Sequence, residues 1–189
     1  SSLVGVTAHE VMHSWYQMLL ATNEGMYPWM DEGFTSFTSS KVMSHLFNPD
    51  EDTRRGRYYD SYIALAASGR EEPMSKMADH YNTNYAYGAA AYSKGALFIA
   101  QLGYVLGHEN LDKGIHRYFD EWSFKHPTPN DFVHVMEKVS GIELKWYLNY
   151  MLNTTEVIDY AVAGVEGKGS QSEISLRRIG NFPMPIDLY

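Results

Sequence analysis

The chain has 189 residues, a length that predicts one domain and at most part of a second. Fifteen basic and 23 acidic residues give a net charge of -8. This balance argues against nucleic-acid binding, because such a surface needs basic residues to offset phosphate charge. Hydrophobic residues make up 44% of the chain, as in a folded globular domain, and cysteine is absent, which excludes disulfides and thiolate metal ligands. No apolar run approaches the roughly 20 residues of a membrane-spanning helix.

Apolar residues at helical spacing dominate most of the chain. The predicted helices span residues 3–21, 28–45, 54–68, 88–106, 110–124, 129–140 and 143–152. Asn48-Pro49-Asp50 predicts a turn and residues 73–85 predict a loop. Thr128 is placed as an N-cap before Pro129, and Gly141 is placed as a helix stop. Aromatic residues near two helix ends are predicted to lie in the core: Tyr118, Phe119, Trp122, Phe124, Trp146, Tyr147 and Tyr150.

The composition changes after residue 155. Alternating and β-branched residues on either side of Gly167-Lys168-Gly169 predict a β-hairpin. We therefore expect a mainly α fold, with a helical part over 1–155 and a β segment over 156–189 that begins a β-rich domain. The first residue is not an initiator methionine, so we expect the chain to be part of a longer protein.

A metal-binding pattern lies in the first predicted helix, where His9-Glu10-Val11-Met12-His13 reads H-E-x-x-H. On a helix, residues four apart lie on one face, so both imidazoles can reach one Zn²⁺. Glu10 follows His9 directly and projects beside such an ion, where a general base for water activation belongs. The pattern therefore predicts a zinc-dependent hydrolase site.

A catalytic zinc ion needs three protein ligands and one open position. Glu32, on the second predicted helix, is the strongest candidate for the third ligand, because that helix can fold back against the first. Asp31 and Glu24 are the competing carboxylates. A solvated carboxylate near a helix start is the alternative interpretation of Glu32, since negative charge is favourable there.

These residues resemble a known family. The H-E-x-x-H run, eighteen further residues and then Glu32 within Trp29-Met30-Asp31-Glu32-Gly33-Phe34 resemble the gluzincin aminopeptidases, the aminopeptidase N-like family. That family has H-E-x-x-H-x18-E within W-x-N-E-G-F-A, so Asp31 replaces an Asn and Thr35 an Ala. Tyr92-Ser93-Lys94-Gly95 is similar to the family's Y-x-K-G motif, at a family-like distance from the zinc helix. The resemblance covers roughly residues 1–155.

The resemblance implies a thermolysin-like helical catalytic subdomain that binds one Zn²⁺ and a peptide substrate. It makes His9, His13 and Glu32 the zinc ligands, Glu10 the general base and Tyr92 the stabiliser of the oxyanion. A neutral phenol can donate a hydrogen bond to a developing oxyanion near pH 7. Without the Lys-Gly context, Tyr92 would be an ordinary helical tyrosine, and Tyr85 and Tyr87 are the alternatives.

The family's exopeptidase motif, G-x-M-E-N, does not occur in this chain. In the family it binds the free α-amino group of the substrate, so we expect aminopeptidase activity in a parent protein and weak or no activity in this chain alone. A helical peptide-binding or scaffold module that kept the fold without catalysis is the alternative function. The sequence does not indicate an oligomeric state or a substrate side-chain preference.

Overall fold

The computed structural model describes residues 3–47 and 51–188. Its α-helices, numbered α1 to α8 in chain order, are Leu3–His13, Pro28–Phe47, Glu51–Ala67, Asn84–Gly88, Gly95–Leu106, His108–Trp122, Pro129–Ser140 and Lys145–Asn153. Shorter helical segments are the π-helical Ser14–Leu19 and Ala89–Lys94 and the 3₁₀ turn Ala78–His80. The strands are β1, Tyr160–Lys168, and β2, Gln171–Arg178. Among the described helices, none combines the length and the apolar character that crossing a bilayer requires.

The chain divides into two compact units, with the division between Thr154 and Thr155. The first unit is helical. The second contains β1 and β2, which pair as an antiparallel hairpin with an irregularity between Val162 and Gly164. Gly169 takes a positive φ of 67° in the turn, a conformation that glycine adopts without steric cost. The mainly α fold with a β segment at its end, and the hairpin itself, are as the sequence predicted.

The core of the helical unit lies between α2 and α5, which pack along each other. Helix α5 is predominantly apolar, and most of its residues are buried. Aromatic rings extend this core: Trp29 of α2 packs on Phe98 of α5 at 4.8 Å, and Phe34 meets Phe132 of α7 at 4.9 Å between ring centroids. These contacts hold α2 in the core on either side of Glu32, the candidate metal ligand.

The ends of α7 were predicted from local chemistry and are confirmed. Thr128 and Asp131 form a capping box, Pro129 occupies the first turn, and Gly141 ends the helix in the left-handed conformation. Tyr118 and Tyr147 are buried as expected, but Phe124 is 75% exposed, so its assignment to the core was wrong. Phe124 has a positive φ of 65° just beyond α6, which turns its ring away from the helix face on which the prediction rested.

The first predicted helix, 3–21, is correct in position but is not uniform. It is α-helical to His13 and π-helical over Ser14–Leu19, and the predicted helix at 88–106 likewise contains the π-helical Ala89–Lys94. Single π turns within α-helices are rare and occur often at functional sites. The first π segment directly follows His13, and the second contains Tyr92, both of which the sequence selected as candidate site residues. The turn predicted at 48–50 lies outside the described residues.

Candidate metal centre

Helix α1 supplies two imidazoles to one point. His9 and His13 are one helical turn apart, and their ring centroids are 4.9 Å apart with the ring planes nearly perpendicular. Their side chains are 20% and 18% exposed, so both remain accessible from solvent. The local sequence needs no tertiary contact to bring them together, because the spacing of four residues places them on one helix face.

Helix α2 folds back against α1 and brings Glu32 to the same point. The Glu32 Oε2 atom lies 3.1 Å from His9 Nε2 and 3.5 Å from His13 Nε2. Within the described part of the chain, these three residues form the group whose ligand atoms, one from each, lie within 4.8 Å of one another. Tetrahedral zinc ligands at 2.0–2.1 Å from the ion are roughly 3.3 Å apart, so the donor set and its spacing fit Zn²⁺.

Asp31 takes a different position from its neighbour. Its Oδ1 atom accepts a hydrogen bond from His13 Nδ1 at 2.6 Å, and Thr35 Oγ1 lies 3.3 Å from the same nitrogen. This contact holds the proton on Nδ1 and leaves Nε2 facing Glu32, which is the arrangement that a metal-binding histidine requires. Burial raises the pKa of the Asp31 carboxyl to about 6, although the charge and hydrogen bond of His13 oppose the shift.

The structure therefore separates the competing carboxylates. Asp31 contacts Nδ1 of His13, and Glu32 lies near Nε2 of the same ring. Glu24 is exposed and is not part of the cluster. Sequence reasoning missed the role of Asp31 as the partner of His13. The available signal was the acidic residue next to Glu32, but two adjacent carboxylates look alike until the direction of each side chain is known.

Tyr92 reaches the cluster from the π-helical segment Ala89–Lys94. Its hydroxyl donates a hydrogen bond to Glu32 Oε1 at 2.6 Å, and its ring stacks on His9 at 5.9 Å between centroids. Burial, and after it the hydrogen bond to Glu32, raises the pKa of the Tyr92 phenol above its ordinary value. The phenol therefore stays protonated at neutral pH and can act as a hydrogen-bond donor.

The alternative tyrosines are placed differently. Tyr85 is 47% exposed, and Tyr87 packs edge-on against Tyr81. Burial raises the pKa of Tyr87, and the charges of Glu32 and Asp31 add to the shift, so Tyr87 lies within the electrostatic reach of the cluster. Of the three tyrosines, Tyr92 is the one whose hydroxyl hydrogen-bonds a member of the cluster.

Glu10 lies one residue after His9 on α1, and its side chain is exposed rather than drawn into the cluster. Its carboxylate is therefore accessible from solvent on the helix that carries His9 and His13. The arrangement as a whole offers three metal-binding atoms, one free carboxylate and one neutral hydroxyl. These are the groups that metal-assisted hydrolysis of a carbonyl compound uses.

Two glycines allow Glu32 and Tyr92 to meet. Gly33 follows Glu32 on α2, and Gly95 follows the segment that carries Tyr92. A Cβ atom on Gly33 would lie 2.7 Å from both the Cα and the carbonyl carbon of Gly95, so the two backbones touch here. Only residues without a side chain permit this approach, which explains why each sequence motif contains a glycine.

Comparisons with known proteins identify the family. The sequence profile of the peptidase family M1 domain matches residues 1–152. Aminopeptidase M1-D of Oryza sativa subsp. japonica is 27% identical over 171 residues, which are 88% of this chain and 19% of that protein. Aminopeptidase N of Escherichia coli K12 is 28% identical over 155 residues, 75% of this chain and 17% of that protein. The chain thus spans about a fifth of the length of these curated relatives.

Solved structures share the fold. The M1 zinc metallopeptidase from Deinococcus radiodurans superposes with a TM-score of 0.63 at 18% identity, covering 78% of this chain and 32% of that chain. Legionella pneumophila aminopeptidase A in complex with aspartic acid gives a TM-score of 0.59 at 16% identity, covering 96% and 23%. Because the family profile matches most of its residues, this chain belongs to peptidase family M1 and is an aminopeptidase N-like gluzincin.

Proposed function

We propose that this chain forms the zinc-binding part of a metallopeptidase active site, and that the full-length protein removes N-terminal residues from peptides. The observation that carries the proposal is the convergence of His9, His13 and Glu32, with the Tyr92 hydroxyl 2.6 Å from Glu32 Oε1. The curated relatives described above are named aminopeptidases, which supports the exopeptidase reaction. We assign residues 1–155 to the catalytic subdomain and 156–189 to the start of a β-rich domain.

His9, His13 and Glu32 would hold one zinc ion, with Nε2 of each histidine and the Glu32 carboxylate as donors. Bound zinc supplies Lewis-acid polarisation of the scissile carbonyl and makes water a stronger acid. Asp31 keeps the proton of His13 on Nδ1, so that Nε2 is available as a ligand without a change of tautomer.

The remaining steps belong to Glu10 and Tyr92. Glu10 accepts the proton of the attacking water and passes it to the leaving amine. Tyr92 donates its hydroxyl hydrogen to the oxygen that becomes negative as the carbonyl carbon turns tetrahedral. Because the raised pKa keeps the phenol protonated, this donor is present throughout the neutral pH range.

The test uses the full-length natural protein with an L-aminoacyl p-nitroanilide and its N-acetylated counterpart. We expect hydrolysis of the free-amine substrate that stops on chelation and returns with one equivalent of zinc. Glu10→Gln should retain zinc and lower kcat by about 10²–10⁴-fold, since it removes the general base. The control Glu143→Gln, which also neutralises an exposed glutamate, should change neither zinc content nor kcat.

Each outcome decides between the candidate functions. Wild-type activity retained in Glu10→Gln would remove Glu10 from its role, and hydrolysis of the acetylated substrate alone would point to an endopeptidase. Zinc binding without hydrolysis of either substrate would favour the non-catalytic peptide-binding module. For the isolated 189-residue chain we expect zinc binding with little hydrolysis, because the chain contains no G-x-M-E-N motif.

A further inference from the structure

Lys94 is a buried cation close to the candidate active site. It lies two residues after Tyr92 in the same π-helical segment, and its side chain is only 2% exposed. Its Nζ atom donates to Glu71 Oε1 at 2.6 Å and to the carbonyl oxygen of Thr154 at 3.3 Å. The Glu71 side chain is 5% exposed, so the ion pair is almost completely shielded from water.

The three partners of Lys94 come from three different parts of the helical unit. Glu71 lies in the loop after α3, Thr154 directly follows α8, and the ammonium group lies 5.7 Å from the ring centroid of Tyr62 on α3. Lys94 therefore joins the segment that carries Tyr92 to three parts of the unit, and Ser93 Oγ adds a hydrogen bond to Ser61 Oγ of α3 at 2.9 Å. A displacement or rotation of this segment would break at least one of these contacts.

Stability alone does not account for a charge at this position. Burying an ion pair costs desolvation free energy, and an apolar pair of similar volume is often equally or more stabilising. The ion pair differs from an apolar pair in having directional hydrogen bonds with fixed donors and acceptors. On a helix, residues two apart point to nearly opposite sides, so an inward anchor at Lys94 directs Tyr92 outward toward Glu32.

We propose that Lys94 is a positioning residue: its hydrogen bonds to Glu71 and to the Thr154 carbonyl fix the rotation of the segment Ala89–Lys94. This rotation holds the Tyr92 hydroxyl at hydrogen-bond distance from Glu32. The proposal rests on the proposed function, in which Tyr92 stabilises the oxyanion. Lys94 itself does not contact the reacting atoms and acts through Tyr92.

The kinetic test is a double-mutant cycle in the full-length, zinc-loaded protein with an L-aminoacyl p-nitroanilide. Lys94→Met/Glu71→Leu replaces the ion pair by an apolar pair, and Tyr92→Phe removes the hydroxyl. Tyr92→Phe should lower kcat by about 10²–10³-fold, as for other single oxyanion donors. The apolar pair should lower kcat at least tenfold with KM and zinc content unchanged, and should lower it less than twofold in the Tyr92→Phe background.

An equal loss in both backgrounds would overturn the proposal, because a purely structural role gives additive effects. Lys94→Arg keeps the positive charge but moves the hydrogen-bond donors. It therefore tests the positioning role of Lys94 if the Lys94→Met/Glu71→Leu variant does not fold. Its loss of kcat should likewise disappear in the Tyr92→Phe background. The control Lys76→Met removes the ion pair to Glu72 in the same loop, where Lys76 is 33% exposed, and should leave kcat unchanged.

A second measurement does not depend on hydrolysis. In metal-free protein labelled with ¹³Cζ-tyrosine, the Tyr92 signal is assigned as the one that Tyr92→Phe removes. Lys94→Met/Glu71→Leu should shift or broaden this signal, and Lys76→Met should leave it in place. An unmoved Tyr92 signal would overturn the role of Lys94 whether or not the protein is a peptidase, whereas an inactive wild type with a shifted signal would count against the proposed function alone.

Discussion

The metal cluster and the Lys94–Glu71 pair each join charged or polar side chains from different elements, but they differ in their balance of charge. Lys94 and Glu71 are a cation and an anion 2.6 Å apart with side chains at most 5% exposed, so the pair is complete by itself. His9, His13 and Glu32 bring three electron-pair donors together with side chains 16–20% exposed. The difference fits our two proposals, that the pair orients the segment carrying Tyr92 and that the cluster binds a cation from solution.

The largest expected effect is on the free energy of unfolding, and it tests whether Lys94 and Glu71 compensate each other's buried charge. Lys94→Met leaves Glu71 as a buried charge without its partner, which should lower the free energy of unfolding by about 3–5 kcal/mol. Glu71→Leu in the same protein should restore most of the loss. Denaturant unfolding measures both. Lys76→Met, at the more exposed pair with Glu72, should cost less than about 1 kcal/mol. If Lys94→Met were as stable as the wild type, Glu71 would not depend on Lys94 to compensate its charge.

The next effect is on zinc affinity, and it tests whether His9, His13 and Glu32 bind a metal ion. A protein zinc site gains roughly 10–16 kcal/mol from its ligands together, so loss of one ligand in His13→Ala should weaken zinc binding by about 3–4 kcal/mol, or roughly 100–1,000-fold. Competition with a chromogenic chelator measures the affinity. His116→Ala on α6, whose ring contacts a backbone carbonyl of its own helix, is the matched control. Unchanged affinity in His13→Ala would refute the ligand assignment.

A smaller effect tests the contact that joins the two regions. Gly33 follows Glu32, Gly95 follows Lys94, and an added Cβ on Gly33 would lie 2.7 Å from the Gly95 backbone. Gly33→Ala should therefore push α2 and α5 apart and cost about 1–3 kcal/mol of stability. Gly88→Ala, where the added Cβ meets nothing within 4 Å, should be neutral or stabilising. Equal thermal midpoints for the two variants would mean that the crossing tolerates a side chain.

The smallest effect concerns the charge behind His13. Asp31→Asn keeps an oxygen that can accept the hydrogen bond from His13 Nδ1 but removes the negative charge. We expect zinc affinity to fall about tenfold, at the lower end of the range for partners of metal-binding histidines. Thr35→Val, which removes the more distant neighbour of the same nitrogen, should change the affinity less. Isothermal titration with zinc distinguishes these outcomes, and equal affinities in Asp31→Asn and the wild type would contradict the prediction.

The two regions also differ in how far the sequence predicts them. His9 and His13 were placed together by helix geometry alone, because a spacing of four residues fixes one face. The placement of Glu32 depends on tertiary structure, because α2 must fold back along α1. The sequence pattern indicated this return but did not give the distance between the two helices. The distinction between Glu32 and Asp31 lay beyond the sequence, since neighbouring residues on a helix point in different directions that depend on what each helix face contacts.

Lys94 was visible in the sequence only as part of a motif. Lysines are almost never fully buried unless they are paired, and its partners Glu71 and Thr154 are distant in sequence. No local pattern predicts that these three groups meet. The π-helical segments were missed for a related reason, because their apolar spacing hardly differs from that of an α-helix. Most helix positions were predicted because the apolar faces of α6 and α7 are strongly periodic and α5 is a long apolar stretch.

Helix α1 carries both histidines of the cluster and yet has no buried residue. In this chain the helix is held mainly by its packing on α2, and an element with few buried side chains opens locally most readily. An ion bound by His9, His13 and Glu32 would connect the C-terminal half of α1 to α2. We therefore expect occupancy of the metal centre to slow amide exchange along α1, so the helix that binds the ion would also be the element whose order reports the binding.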